Sequence, residues 1–150
     1  MTIWIDADAC PAPVKVIVFR ASQRLGIAVT LVANQRLLTP SSPFITAVQV
    51  GSSLDAADDY LVEHATTGDL VITADIPLAA RLVKRGVAAL NPRGEMYTAD
   101  TIRERLTLRN FKEDLRAAGR LTGGPPPYHD RDKQTFANSL DRWLTQQRGC

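Results

Sequence analysis

Only two of the 150 residues are cysteine, Cys10 and Cys150, and they lie near opposite ends of the chain. That spacing excludes a zinc ribbon, a paired-cysteine redox motif and a disulfide scaffold, and leaves reduced thiols as the expectation. Histidine is equally scarce, with His64 and His129 far apart. Aromatic residues make up 6% of the chain, too few for a base-stacking platform. No stretch approaches the roughly 20 apolar residues of a membrane span. Met1 to Ile5 run straight into Asp6 and Asp8, without the basic flank and apolar run of a secretory signal. These absences point to a cytoplasmic protein with no membrane partner. There is no internal repeat and no low-complexity tract.

What is present is ordinary in amount and uneven in placement. A content of 45% hydrophobic and 23% charged residues describes one domain over residues 1–150. At that length a fold buries roughly 70% of its unfolded surface and needs no staple. The net charge of +2 conceals an asymmetry. Residues 1–75 hold four basic residues against eight acids, a balance of −4, and residues 76–150 hold fourteen against eight, a balance of +6. An acidic centre beside a basic surface suits a protein that brings cations and a polyanion together; Arg-rich solvated helices would give the same count.

Apolar runs of strand type alternate with helical periodicity. Ile3 to Asp6 reads as a strand, followed by a helix in which Val14, Ile17, Val18, Ala21 and Leu25 share one face, opened by Pro11 and Pro13 and closed by Gly26. Ile27 to Ala33 and Ile45 to Val50 are further strands, separated by a loop from Asn34 to Pro43. Ser52 or Ser53 is placed to cap a helix reaching about Ala65. Leu70 to Thr73 is a buried strand, a helix through Leu78 and Leu82 ends at Gly86, and Val87 to Leu90 is a fifth strand. This alternation predicts a three-layer α/β/α fold with a mostly parallel sheet, its core over residues 1–93. Residues 94–150 form a helical extension docked on that core: Thr98 to Leu106, Leu108 to Ala118, a Gly/Pro-rich bend over 119–127 and a last helix from about Asp132 to Gln147.

Ligands of such sheets bind beyond the carboxyl ends of the strands. Asp6 and Asp8 follow the first strand and Asp75 follows the fourth, so one rim collects them. With Leu54 at 0° and about 100° per residue, Asp58 falls at about 40°, inside the arc that Ala57, Leu61, Ala65 and Val62 occupy. An acid on the core-facing stripe needs a hydrogen bond, a cation, a proton or a metal to compensate it. Two carboxylates about 4 Å apart repel by roughly 4 kcal/mol at an effective dielectric of 20, which a divalent cation relieves. Hard oxygen ligands without a His or Cys cluster select Mg²⁺ or Mn²⁺. Other readings remain for the flanking acids: Asp8 as a cap for the helix near Pro11, Asp55 as a charge on a helix dipole, and Asp59 as a solvated surface acid.

A carboxylate-held divalent metal at a strand rim suits phosphoryl chemistry. Arg109, Lys112, Arg116 and Arg120, at i, i+3, i+7 and i+11, form a stripe beside the apolar positions Leu108, Phe111, Leu115 and Ala118. The stripe is a candidate nucleic-acid-binding surface, with a solvated helix face as the alternative.

Four blocks, Asp6-Ala7-Asp8-Ala9-Cys10-Pro11, Asp55-Ala56-Ala57-Asp58, Thr73 to Ala79, and Gly123-Gly124-Pro125 followed by Asp130-Arg131 and Phe136, resemble in this order the YaiI/YqxD family of uncharacterised bacterial proteins. That family looks like a member of the PIN-like superfamily, whose better-known relatives are Mg²⁺- or Mn²⁺-dependent nucleases, often ribonucleases, and often pair as homodimers. The resemblance implies Asp6, Asp58 and Asp75 as catalytic metal ligands. PIN nucleases commonly carry a further acid about three residues after the one matched by Asp75; that place holds Leu78 here, and Asp8 or Asp55 is the replacement within reach.

The leading expectation is a ribonuclease that hydrolyses phosphodiesters with an Asp-held metal and metal-activated water. A non-catalytic RNA- or protein-binding module with a structural ion is the alternative. A phosphatase of the haloacid dehalogenase type comes third, because Asp6-Ala7-Asp8 imitates its nucleophile and acid pair and Asp69 and Asp75 loosely resemble its later acidic motif. A cysteine phosphatase loop from Cys10 would need Arg where Val16 stands, and Cys10, though near a helix start, has no supporting base.

Overall fold

Five short runs of β-branched and small apolar residues pair into one parallel sheet: β1 (Thr2–Asp6), β2 (Ala28–Ala33), β3 (Ile45–Gln49), β4 (Leu70–Ile72) and β5 (Ala88–Leu90). The structure is a computed structural model and describes residues 1–53, 55–120 and 127–148. Among the described residues there are five α-helices: α1 (Ala12–Leu25), α2 (Ala56–His64), α3 (Ile76–Lys84), α4 (Ala99–Ala117) and α5 (Asp130–Arg148). The fold is the three-layer α/β/α architecture that the alternation predicts, and all four strand pairings are parallel. Among the described residues, antiparallel pairing is confined to an isolated bridge between Leu90 and Met96.

Strand order is β3-β2-β1-β4-β5. The chain therefore starts in the middle, builds outward to β3, then crosses back to β4 on the other side of β1. Right-handed crossovers put α1 and α2 on opposite faces as a result. Side-chain alternation separates two cores. Ile3, Ile5, Leu31 and Ile72 pack with Val14 and Val18 of α1 and with Phe136, Leu140 and Trp143 of α5. Val32, Val71 and Ala89 face the other way, onto Leu61 of α2, Leu82 of α3 and Ile102 of α4, with Trp4 packed against them. Each tryptophan thus belongs to a different layer.

The expected elements are present, with three shifts. Helix α2 begins at Ala56, so neither Ser52 nor Ser53 caps it; Asp55 is the N-cap residue and makes no side-chain cap bond. The Ser53 carbonyl instead accepts from the Ala56 N–H in a preceding turn, 3.2 Å. The two helices expected between Thr98 and Ala118 are one. Thr98 opens α4 with a reciprocal capping box to Thr101, and Thr107, at the expected break, bonds its hydroxyl to the Arg103 carbonyl and stays helical. The last helix starts at Asp130. Of the Gly/Pro-rich bend, residues 121–126 lie outside the described residues, as do Leu54 and Cys150.

Helix α5 is held against the sheet by more than its apolar stripe. Gly94, at φ 97°, lies so close to α5 that a Cβ there would sit 2.6 Å from Thr135 Cγ2. Ser139 donates to the Gly94 carbonyl at 2.6 Å, and Arg93 pairs with Asp132 at 2.7 Å. At the amino ends of the strands, Asp69 is a buried structural acid. It accepts from the Thr2 N–H, the Trp4 Nε1–H and both the N–H and hydroxyl of Thr66. These bonds hold its carboxyl below the usual range against the opposing effect of burial. Among the described residues no helix is long and apolar enough to cross a membrane.

Replacing Asp69 with Ala strands those donors. The variant should lose at least about 2 kcal/mol of stability at neutral pH, read by thermal unfolding. A melting point within error of wild type would show that water satisfies the donors equally well.

Candidate functional site

At the opposite end of the sheet, β1 and β4 diverge toward different crossovers, and the crevice outside their carboxyl ends is the switch point where ligands of such sheets bind. Asp6 is the last residue of β1. Because Ile5 faces α1 and α5 while Trp4 faces α2 and α3, period-two alternation turns Asp6 toward the α2 side. Asp6 is 7% exposed. Its hydrogen-bond partner is the Thr73 hydroxyl, which donates to Asp6 Oδ2 at 2.9 Å. The same hydroxyl accepts from the Asp75 N–H at 3.0 Å, so Thr73 ties the ends of β1 and β4 together.

Asp75 is the N-cap of α3: its Oδ1 accepts from the Leu78 N–H at 3.0 Å. The place where a further acid is expected is turned inward, since Leu78 is buried at 1% exposure. Asp58 lies in the first turn of α2 and is half-buried, whereas Asp59 beside it is exposed and pairs with Arg81 at 3.0 Å.

Electrostatics shows which of these acids share a field. Burial pushes the Asp58 carboxyl up to about 6, and the negative charges of Asp75, Asp6 and Asp55 add to the effect. The Asp6 carboxyl is also raised, by burial first and by Asp75 and Asp8 after it, against the lowering effect of the Thr73 hydrogen bond. Asp6, Asp58 and Asp75 thus form one repelling group. Asp8 is at its margin, in a single 3-10 turn over Ala7–Ala9, where its Oδ2 accepts from the Asn34 N–H at 2.8 Å. It does not cap α1, whose N-cap is Pro11. Asp55, exposed at the α2 N-terminus, contributes charge without a side-chain hydrogen bond to the helix.

The donor set is all carboxylate oxygen, which suits Mg²⁺ or Mn²⁺, and a dication would offset the repulsion. As the side chains stand, no three His, Cys, Asp or Glu residues among those described surround a common point closely enough to hold an ion. The fit is therefore one of donor chemistry and charge, and ligation would require the carboxylates to turn toward one another. Cys10 offers no softer alternative: burial pushes its thiol up to about 12, opposite to what a helix start would do.

The basic stripe adjoins this rim. Arg109, Lys112 and Arg116 of α4 line a cavity of about 460 Å³ together with Arg93, Arg105 and Tyr97, and Ile76, the residue after Asp75, forms part of its wall. Arg120 leaves the stripe, because α4 ends at Ala117 and Gly119 turns the chain at φ 72°. Thr73, Tyr97, Asn91, Arg93 and Arg105 escaped the sequence reading. For Thr73 a signal existed: a hydroxyl two residues before an acid at a strand end. For the cavity residues there was none, since they meet only when α4 packs over α3. Asp69 lies at the far end of the strands from Asp6, so it cannot take part in a phosphatase motif with that residue.

Fold and rim together define a class: a parallel α/β protein with an acidic switch point beside a basic cavity. A profile described as uncharacterized BCR, YaiI/YqxD family, matches residues 4–146. The chain belongs to the YaiI/YqxD family. It is 57% identical over 144 residues to a UPF0178 protein of Shewanella sp. (strain MR-7), covering 96% of this chain and 95% of that protein. It is 58% identical over 148 residues to a UPF0178 protein of Yersinia pestis (strain Pestoides F), covering 99% and 97%. No solved structure matches the chain significantly.

Asp58 carries a pH prediction of definite sign. With a native pKa of about 6 against 3.8 unfolded, the native state holds a proton that the unfolded state has already released. Stability contributed by this group is therefore full below about pH 4 and lost as pH rises through about 6. In chelator at pH 7.5, Asp58→Asn should be more stable than wild type by on the order of 1 kcal/mol, after solvent screening of a half-exposed group. That is a melting-point gain of about 2–4 °C. The gain should vanish near pH 4, and a variant that melts lower than wild type at pH 7.5 would contradict the repulsion.

Proposed function

We propose that this protein is a divalent-cation-dependent phosphodiesterase acting on RNA, with Asp6, Asp58 and Asp75 as its cation ligands and Asp8 and Asp55 as supporting acids. The observation that carries this reading is the coupling of three carboxylates at the β1/β4 switch point, beside a cavity walled by Arg and Lys. The resemblance of the same acids to those of PIN-like nucleases points the same way. When bound, Mg²⁺ or Mn²⁺ would supply charge neutralisation on phosphate oxygens and acidify water.

The chain's own residues divide the remaining tasks. Thr73 donates to Oδ2 of Asp6, leaving Oδ1 outside that bond. Asp75 accepts its capping bond on Oδ1, leaving Oδ2 outside that bond. Asp58, whose carboxyl is raised by burial and by the neighbouring acids, is a group whose ionised form a bound dication would stabilise. The cations of α4 hold the phosphate backbone across the rim.

A second reading, a non-catalytic RNA- or protein-binding module, is favoured by one observation: Leu78 stands where a further acid would complete the ligand set, and the described acids do not close a shell unaided. One experiment separates the two. Mn²⁺ titrated calorimetrically into wild-type protein should bind, and Asp58→Asn should weaken that binding at least about tenfold and abolish cleavage of an end-labelled single-stranded RNA. RNA retained without turnover, in the presence or absence of Mn²⁺, would establish the module instead.

A further inference from the structure

The cavity beside the acidic rim has a charge that can be counted. It opens where the chain leaves β5 through a tight turn, in which the Gly94 N–H donates to the Asn91 carbonyl at 2.9 Å and the Asn91 N–H to the Glu95 carbonyl at 2.8 Å. The Arg93 N–H donates to Asn91 Oδ1 at 2.7 Å, which fixes the side-chain amide and leaves Nδ2 to donate to Tyr97 Oη at 2.8 Å. With that oxygen accepting, the phenolic proton of Tyr97 is left to donate. Burial raises the Tyr97 pKa, so the proton is retained at neutral pH.

Three of the cavity's cations already have anionic partners. Arg93 pairs with Asp132 at 2.7 Å, Arg105 forks onto Glu95 with Nε 2.9 Å from Oε1, and Arg109 pairs with Glu113 at 3.0 Å. Lys112 and Arg116 line the same cavity and have no ion-pair partner among the described residues. The uncompensated charge is thus +2. An internal phosphodiester brings one negative charge, whereas a phosphate monoester carries about −1.5 to −2 at neutral pH. The volume of about 460 Å³ and the apolar walls from Leu108 and Ile76 leave room for a sugar and base beside the phosphate.

We propose that this cavity binds the monoester phosphate of a nucleotide, held by Lys112 and Arg116, with the Tyr97 hydroxyl at the other end of the cavity, on the side of the nucleoside. The proposal rests on, and deepens, the RNA reading of the neighbouring rim: the ligand is a strand's phosphorylated end, seated so that the strand leads past Ile76 toward Asp75. A free mononucleotide offers the same chemistry, and the experiment distinguishes the two sources.

The test uses the full chain in chelator at fixed ionic strength, so that nothing is cleaved and non-specific attraction is constant. Fluorescence anisotropy is measured with single-stranded RNA of one sequence bearing a 5′-phosphate, a 3′-phosphate or hydroxyls at both ends, with adenosine monophosphate as competitor. One phosphorylated form should bind at least about tenfold tighter than the hydroxyl-ended strand. The double variant Lys112→Gln/Arg116→Gln should close the gap to within about twofold. A phosphorylated strand that outbinds adenosine monophosphate identifies the strand end; equal affinity identifies the free nucleotide. Equal binding of all three strands without displacement by adenosine monophosphate overturns the proposal. Asp58→Asn should keep the gap, which separates the two failures. A preserved gap without Mn²⁺ binding sinks only the nuclease reading, and cleavage without a gap sinks only the cavity proposal.

Discussion

A carboxylate buried at the end of a parallel strand, beside two others, is an arrangement that folding alone does not favour. Asp6 has the Thr73 hydroxyl to compensate it and the charges of Asp75 and Asp8 to oppose it. The contrast with Asp69 is instructive, because both acids are buried against the same two strands. Asp69 is satisfied by four donors and its carboxyl is lowered, whereas Asp6 and Asp58 are raised. One end of the sheet uses a carboxylate to stabilise the chain, and the other tolerates carboxylates at a cost in stability. A cost kept within a fold that is only marginally stable draws attention to what could relieve it.

Topology explains why the cost falls where it does. Reversal of strand direction of growth at β1 opens a crevice between crossovers on opposite faces, and the residues leaving β1 and β4 must line it. Asp6 and Asp75 occupy those places by position in the chain. Asp58 arrives from a third element, α2, whose half-buried first turn overlooks the same crevice. Helix α4 then lays a basic edge alongside, so the opposite charges of the two halves of the chain meet at one boundary.

Much of this was legible in the sequence because it depends on local periodicity. Alternation and turn residues locate all five strands, and the wheel through Asp58 separates it from exposed Asp59. The boundaries that shifted lie where local signals compete: Ser52, Ser53 and Asp55 all resemble caps, and only backbone geometry selects Asp55. Thr107 looked like a break between helices and is absorbed by a bond to the preceding turn. The cavity was illegible for a different reason. Its walls come from the turn after β5, the start of α3 and the middle of α4, and no spacing along the chain relates Asn91, Ile76 and Lys112.

The two tryptophans have a use of their own. Trp4 packs with the α2 and α3 layer, edge-on to Tyr60 at 6.3 Å, and its indole N–H ends on Asp69. Trp143 is sealed between α5 and the opposite face of the sheet. Their emission therefore reports two compartments that share a backbone but no side-chain core. Loosening of the α5 layer would change the signal of Trp143 while Trp4 kept its hydrogen-bonded environment. Single-tryptophan versions of this chain would accordingly reveal whether the sheet's two sides come apart together or in sequence.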